Sequence, residues 1–178
     1  MPRQPKPLDR DALMTYALRA LAGRALSAGE LREKLRRRAA SPADVTPVVD
    51  KLKEAGYLDD SRFAQSYASA RLENQGFGKM RVLRDLRQRR VAPGLAGRAV
   101  DEAFQNVDEV ELVESFLRRK FRNQDLGALF ADDSKLASAY RRLRQAGFTS
   151  GVSLRVLKRF ARGTESLDSL EQQDVDQP

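Results

Sequence analysis

Three stretches of the chain, Leu31-Arg-Glu-Lys-Leu35-Arg-Arg, Leu83-Arg-Asp-Leu86-Arg-Gln and Tyr140-Arg-Arg-Leu143-Arg-Gln, carry one theme. In each, apolar residues stand three or four positions apart and arginines fill the turns between them, the spacing of an amphipathic helix. Aligning Leu35, Leu86 and Leu143 divides the chain into units of about 50 residues. The second spacing is the longer one, and the stretch Gln124–Asp133 absorbs the excess. Downstream, Gly94 and Arg98 fall opposite Gly151 and Arg155 without a gap. A unit this short buries little core alone, so each must lean on its neighbour. The expectation is an all-α chain of three tandem three-helix repeats forming an elongated, curved array, against the alternative of one compact bundle of the same helices.

Helix punctuation sets the boundaries. In the first unit the stripe Leu13, Tyr16, Ala17, Ala20, Leu21 runs to Gly23, and Ser27-Ala-Gly-Glu30 reads as a capping box opening the helix of Leu31 and Leu35. Val45, Val48, Val49 and Leu52 form a third stripe, closed by Gly56; its start is read either as Thr46 capping with Pro47 in the first turn, which is preferred, or as a kinked helix from Pro42. In the second unit Asp59-Asp60 caps a helix buried through Phe63, Tyr67 and Ala70 that ends near Gly76. A helix after Gly78 turns Met80, Leu83 and Leu86 inward, and Pro93 starts one that buries Leu95, Ala99, Val100 and Phe104. In the third, Asp108 caps the stripe Val110, Val113, Leu117, Phe121; Ser134 opens the helix of Leu136, Tyr140 and Leu143; and Thr149 or Ser150 opens the last, which stops at Gly163. The expected organisation is a flexible basic tail over 1–7, repeats over 8–58, 59–107 and 108–163, and an acidic, disordered tail over 164–178.

Composition narrows the chemistry. The 178 residues include no Cys, no His and no Trp. Thiol nucleophiles, imidazole bases, disulfides and Cys/His zinc sites are therefore excluded together. No metal or other cofactor is expected. Asp59-Asp60 is read as a helix cap rather than a metal-binding pair, because carboxylates before a helix meet free backbone N–H groups and the positive end of its dipole. Gly76-Phe77-Gly78-Lys79 lacks both the spacing and the preceding strand of a phosphate loop. The basic, Pro-rich start has no apolar core of a secretory signal, and no run approaches the length of a membrane span, so a cytoplasmic, soluble protein is expected.

Charge points to the partner. The net charge is +8, yet residues 164–178 carry five acidic side chains and no Lys or Arg. The excess over the rest of the chain is thus larger still. Such a one-signed surface fits a polyanion, with the acidic segment as a competitor for it. Charged residues also cover any exposed helix face, but here the excess recurs in every unit. The candidate nucleic-acid or protein contacts are Arg32, Arg36, Arg37 and Arg38 in the first unit and Arg81, Arg84, Arg87, Arg89 and Arg90 in the second. The third contributes Arg118, Arg119, Lys120, Arg122, Arg141, Arg142, Arg144, Arg155, Lys158 and Arg159. Phosphate contact needs only such charge, whereas base reading needs particular side chains held in a groove.

A family resemblance sharpens this. The segment Leu52-Lys-Glu-Ala-Gly56-Tyr57-Leu58-Asp59-Asp60-Ser-Arg62-Phe63-Ala64, followed by Arg71, Gly76, Gly78, Arg81 and Leu86, closely resembles the signature of RecX, and Arg24-Ala-Leu-Ser27 with Glu30, Leu31 and Leu35 resembles its first repeat. The resemblance spans roughly residues 10–105; beyond that only the helix pattern continues. Arg90 stands where the second repeat usually has Gly, and Pro47 lies inside the usual third helix. The resemblance implies a non-enzymatic regulator of the RecA recombinase, with a place in homologous recombination, DNA repair and the SOS response. It implies a protein that binds RecA, enters the groove of its filament on DNA, and suppresses filament growth, ATP hydrolysis and strand exchange. The partners so implied are RecA and single- and double-stranded DNA, met by a monomer. The alternative is a sequence-neutral or helix-turn-helix-type DNA regulator that does not act on RecA.

Overall fold

A computed structural model describes residues 6–161. The expected tail over 164–178, the stop at Gly163 and the first five residues lie outside them. Ten α-helices follow in order: α1 (Arg10–Gly23), α2 (Ala28–Arg36), α3 (Val45–Glu54), α4 (Asp60–Ala70), α5 (Lys79–Gln88), α6 (Pro93–Ala103), α7 (Glu109–Lys120), α8 (Leu126–Leu129), α9 (Asp133–Gln145) and α10 (Ser150–Phe160). Among the described residues the extended backbone pairs only at one parallel bridge, Leu8 with Ala39.

Local sequence explains most helix ends. The Ser27 box forms as spaced: the Ser27 hydroxyl accepts from the Glu30 amide at 3.0 Å and the Glu30 carboxylate accepts from the Ser27 amide at 3.2 Å. Asp59 accepts from the Arg62 amide at 2.9 Å and caps α4, while Asp60 reaches back to accept from the Ala28 amide at 2.7 Å, so the acidic pair caps two helices. Asp108 caps α7. Two starts and one buried face differ from expectation. The helix α3 begins at Val45, preceded by a 3-10 turn over Pro42–Asp44 that Ser41 caps, and Thr46 lies inside it. Pro47 is tolerated there because a first-turn residue has no intrahelical acceptor for an N–H. Asp132, not Ser134, caps α9, accepting from the Ser134 and Lys135 amides at 2.9 and 3.2 Å. Met80 is exposed; Leu86 is buried as expected, and Val82, four residues before it, is buried in place of Met80. Between α4 and Gly76, Arg71–Gln75 form one π-helical turn.

The chain divides into two compact units. The first comprises Met1–Tyr67 with Asp85–Ala99, the second Ala68–Arg84 with Val100–Pro178. In the first, α1 and α2 pack on α3 around Leu13, Leu31, Leu35, Val48, Val49 and Leu52. In the second, α10 packs on α7 and α9, and the core contains Val113, Leu117, Phe130, Leu136, Leu143, Phe148 and Leu157. The stretch that the repeat alignment leaves over, Gln124–Asp133, supplies α8 and buries Leu126 and Phe130. Leu35, Leu86 and Leu143, the residues that set the alignment, are all fully buried.

One contact recurs in both units at the same repeat position. In the first, the Ser27 hydroxyl at the start of α2 donates to the Arg89 carbonyl just past the end of α5. In the second, the Gly78 amide at the start of α5 donates to the Ala146 carbonyl just past α9, at 2.8 Å. Arg89 and Ala146 are equivalent in the repeat, as are Ser27 and Gly78. The positive end of one helix thus meets the negative end of another, and orphan carbonyls gain donors. The equivalent carbonyl of the first repeat, Arg38, accepts instead from the Leu8 amide at 2.7 Å, and Leu8 accepts from Ala40 at 2.8 Å. The segment before α1 therefore occupies the place a preceding repeat would take, as a terminal cap does. The close approach is bought with a glycine on one side or the other. Gly147 has φ +92°, and a Cβ there would collide with the backbone of Arg81; Arg90 keeps its Cβ at φ +59°, and Gly29 faces it without one.

Candidate nucleic-acid interface

The arginine-rich helices hold their cations in two ways: many are engaged within the protein, and a few stand free. In the first unit Arg37 donates to Glu33 at 3.1 and 3.2 Å, and Arg90 lies 3.9 Å from the same carboxylate. The Arg38 guanidinium sits 5.2 Å from the centre of the Tyr16 ring, and its buried Nε has no hydrogen-bond partner. Arg89 is the most enclosed. It donates to Glu30 at 2.9 and 3.2 Å and lies over the rings of Phe63 and Tyr67. Partial burial opposes its charge, but Glu30 and Tyr67 more than offset this and raise its pKa above the ordinary arginine value. Arg36 and Arg87 are exposed and Arg32 is half-buried, none with a carboxylate partner among the described residues.

In the second unit Arg81 and Arg84 each donate to the Gln145 carbonyl at 3.2 Å, Arg144 to the Phe148 carbonyl at 2.7 Å, and Arg119 to the Gln75 carbonyl. Arg118 and Arg159 share Glu114, at 3.9 and 2.7 Å. Arg122, Arg155 and Lys158 are exposed at separate positions.

Lys120, Arg141 and Arg142 are different. They converge on one cleft of about 390 Å³ lined also by Phe77, Arg81, Phe116, Ser138 and Gln145. Ser138, Arg141, Arg142 and Gln145 stand at i, i+3, i+4 and i+7 on α9, one helical face, and Phe116 and Lys120 stand four apart on α7. Among the described residues no carboxylate lines the cleft, and all three cations are exposed. Beside it, the Arg81 and Arg71 guanidinium groups lie 5.1 and 6.0 Å from the centre of the Phe77 ring. The arrangement can hold an anion. Among the described residues no cluster of three or more His, Cys, Asp or Glu is placed to hold a metal ion, and no helix is long and apolar enough to cross a membrane.

Sequence reasoning singled out the four cations of this cleft but missed Ser138, Gln145, Phe77 and Arg71. The Ser-x-x-Arg-Arg-x-x-Gln face of α9 was the available signal. Arg71 and Phe77 gave none, since a π turn separates them.

The chain resembles known proteins along most of its length. Residues 14–52 match the family described as RecX, first three-helix domain, and residues 59–100 match RecX, second three-helix domain. The regulatory protein RecX of Deinococcus radiodurans is 35% identical over 153 residues, 85% of this chain and 70% of that protein. The regulatory protein RecX of Halorhodospira halophila is 36% identical over 141 residues, 79% of this chain and 83% of that one. Crystal structures of RecX share the fold: that from Lactobacillus salivarius superposes with a TM-score of 0.62 at 16% identity, covering 85% of this chain and 96% of that one. A second crystal structure of regulatory protein RecX superposes at 0.65 and 20% identity, covering 84% and 73%. With both three-helix domains matched in order and relatives above 30% identity over most of their length, the chain belongs to the RecX family of regulatory proteins.

Proposed function

We propose that the protein is a non-catalytic cytoplasmic regulator that binds the RecA recombinase and its DNA filament and slows filament growth, ATP hydrolysis and strand exchange. Family membership supports the RecA half of this reading. The observation that carries the DNA half is the carboxylate-free cleft of Lys120, Arg141 and Arg142, since unpaired cations in a shared groove favour a polyanion over a neutral partner. The contact is to phosphates, because the exposed cations are long, mobile side chains with no donor set fixed for base edges.

RecA filament growth on fluorescently labelled single-stranded DNA tests it. A few molecules of this protein per hundred of RecA should slow growth, because one regulator seated at a growing end or in a groove affects many subunits. Growth that is unchanged up to equimolar protein overturns the RecA reading. A protein that binds DNA with salt sensitivity yet leaves RecA untouched would instead be a sequence-neutral DNA-binding regulator.

A further inference from the structure

Among the described residues, many cations have partners inside their own unit, while three without a carboxylate partner, Lys120, Arg141 and Arg142, share one cleft. We infer that the cleft between α7 and α9 is the phosphate-binding site proper of this protein, taking one strand of a phosphodiester backbone. The inference deepens the DNA half of the proposed function and rests on it.

Four physical features point to a phosphodiester strand. First, among the described residues Lys120, Arg141 and Arg142 have no carboxylate partner and none lines the cleft, so within that part of the chain their charge is uncompensated where an anion would enter. Elsewhere, by contrast, Arg37, Arg89, Arg90, Arg118 and Arg159 all face glutamates, and a phosphate would have to displace those. Second, Arg81 in the cleft wall is held by the Gln145 carbonyl and the Phe77 ring, so part of the site is ordered before the ligand arrives, which lowers the entropy cost of binding. Third, Phe77 and Phe116 give the cleft apolar walls. Apolar walls reduce local screening, strengthen each charge contact and suit the carbon face of a sugar. Fourth, the Ser138 hydroxyl and Gln145 amide add neutral donors beside the charged ones. Two adjacent guanidinium forks on α9 and an ammonium on α7 suit successive phosphate oxygens along a strand better than one isolated ion.

The test is anisotropy of a fluorescein-labelled oligothymidylate with the full chain across a series of salt concentrations. Each phosphate contact with single-stranded DNA adds about −0.7 to the log–log slope, so the double variant Arg141→Ala, Arg142→Ala should have a slope shallower by about 1.4. Its affinity at low salt should fall by roughly tenfold or more. Both side chains are exposed, and an unchanged circular dichroism spectrum confirms that the fold is kept. The charge-preserving pair Arg141→Lys, Arg142→Lys should keep the wild-type slope. The matched control Lys51→Ala, Lys53→Ala removes two exposed charges from α3 in the first unit and should stay within about twofold of wild type.

A wild-type slope that persists in the Ala pair overturns the assignment of the site while leaving DNA binding itself intact. Salt-independent binding, or none, by the wild type would overturn the DNA half of the proposed function as well. If the Ala pair loses affinity for RecA without DNA and keeps its affinity for the oligonucleotide, the cleft serves an acidic protein surface, and the phosphate inference is wrong.

Discussion

Arg90 shows how much one residue can reveal. It occupies the left-handed region at φ +59°, where its repeat equivalent Gly147 stands at φ +92°. A side chain there costs about 1–2 kcal/mol, and glycine's extra freedom in the unfolded chain returns part of that. Arg90→Gly should therefore raise stability by about 0.5–1 kcal/mol, read as a higher urea midpoint with an unchanged slope. Its 3.9 Å pairing with Glu33 is exposed and offsets little. Glu30 is the opposite case. It completes the cap of α2 and holds the half-buried guanidinium of Arg89. Glu30→Ala should cost about 2 kcal/mol, the sum of a lost cap and a lost charged hydrogen bond; a midpoint within experimental error of wild type would show that water replaces both.

At the scale of elements, what could be read from the sequence was local. The Ser27 box, the Asp108 cap and the buried Leu35, Leu86 and Leu143 follow from spacings of three or four residues, which the backbone geometry enforces directly. The Met80 misreading came from two apolar residues that both stand at helical spacing to Leu83 or Leu86 on α5, Met80 and Val82; only packing chooses between them. The sorting of arginines into engaged and free was hidden for a related reason. Arg89 finds Glu30 from a different repeat, and Arg81 finds the Gln145 carbonyl likewise, so neither partner lies within a sequence window. The helix-end junctions are also tertiary. They explain the cap at Leu8, which supplies the donor that Arg38 would otherwise receive from a preceding repeat. Removing residues 1–8 should leave that carbonyl and the surface around Ala39 uncovered. The truncated protein should lose about 1–2 kcal/mol of stability and self-associate as concentration rises in analytical ultracentrifugation. A monomer with wild-type stability would deny the segment a capping role.

For the whole molecule, the distribution of charge is the determining property. The chain carries +8 overall, with its last fifteen residues acidic. Those residues lie outside the described part of the structure, and an acidic segment tethered to a basic body can compete with phosphate for its cations. Deleting 164–178 should tighten DNA binding, most clearly at low salt where screening is weak; equal or weaker binding would leave the segment no part in that surface. The central claim, however, concerns RecA. The most direct measurement is the single-stranded-DNA-dependent ATPase rate of RecA titrated with this protein. Turnover should fall well before the protein reaches one per RecA subunit, and a rate unchanged up to equimolar protein would contradict the proposed action on RecA.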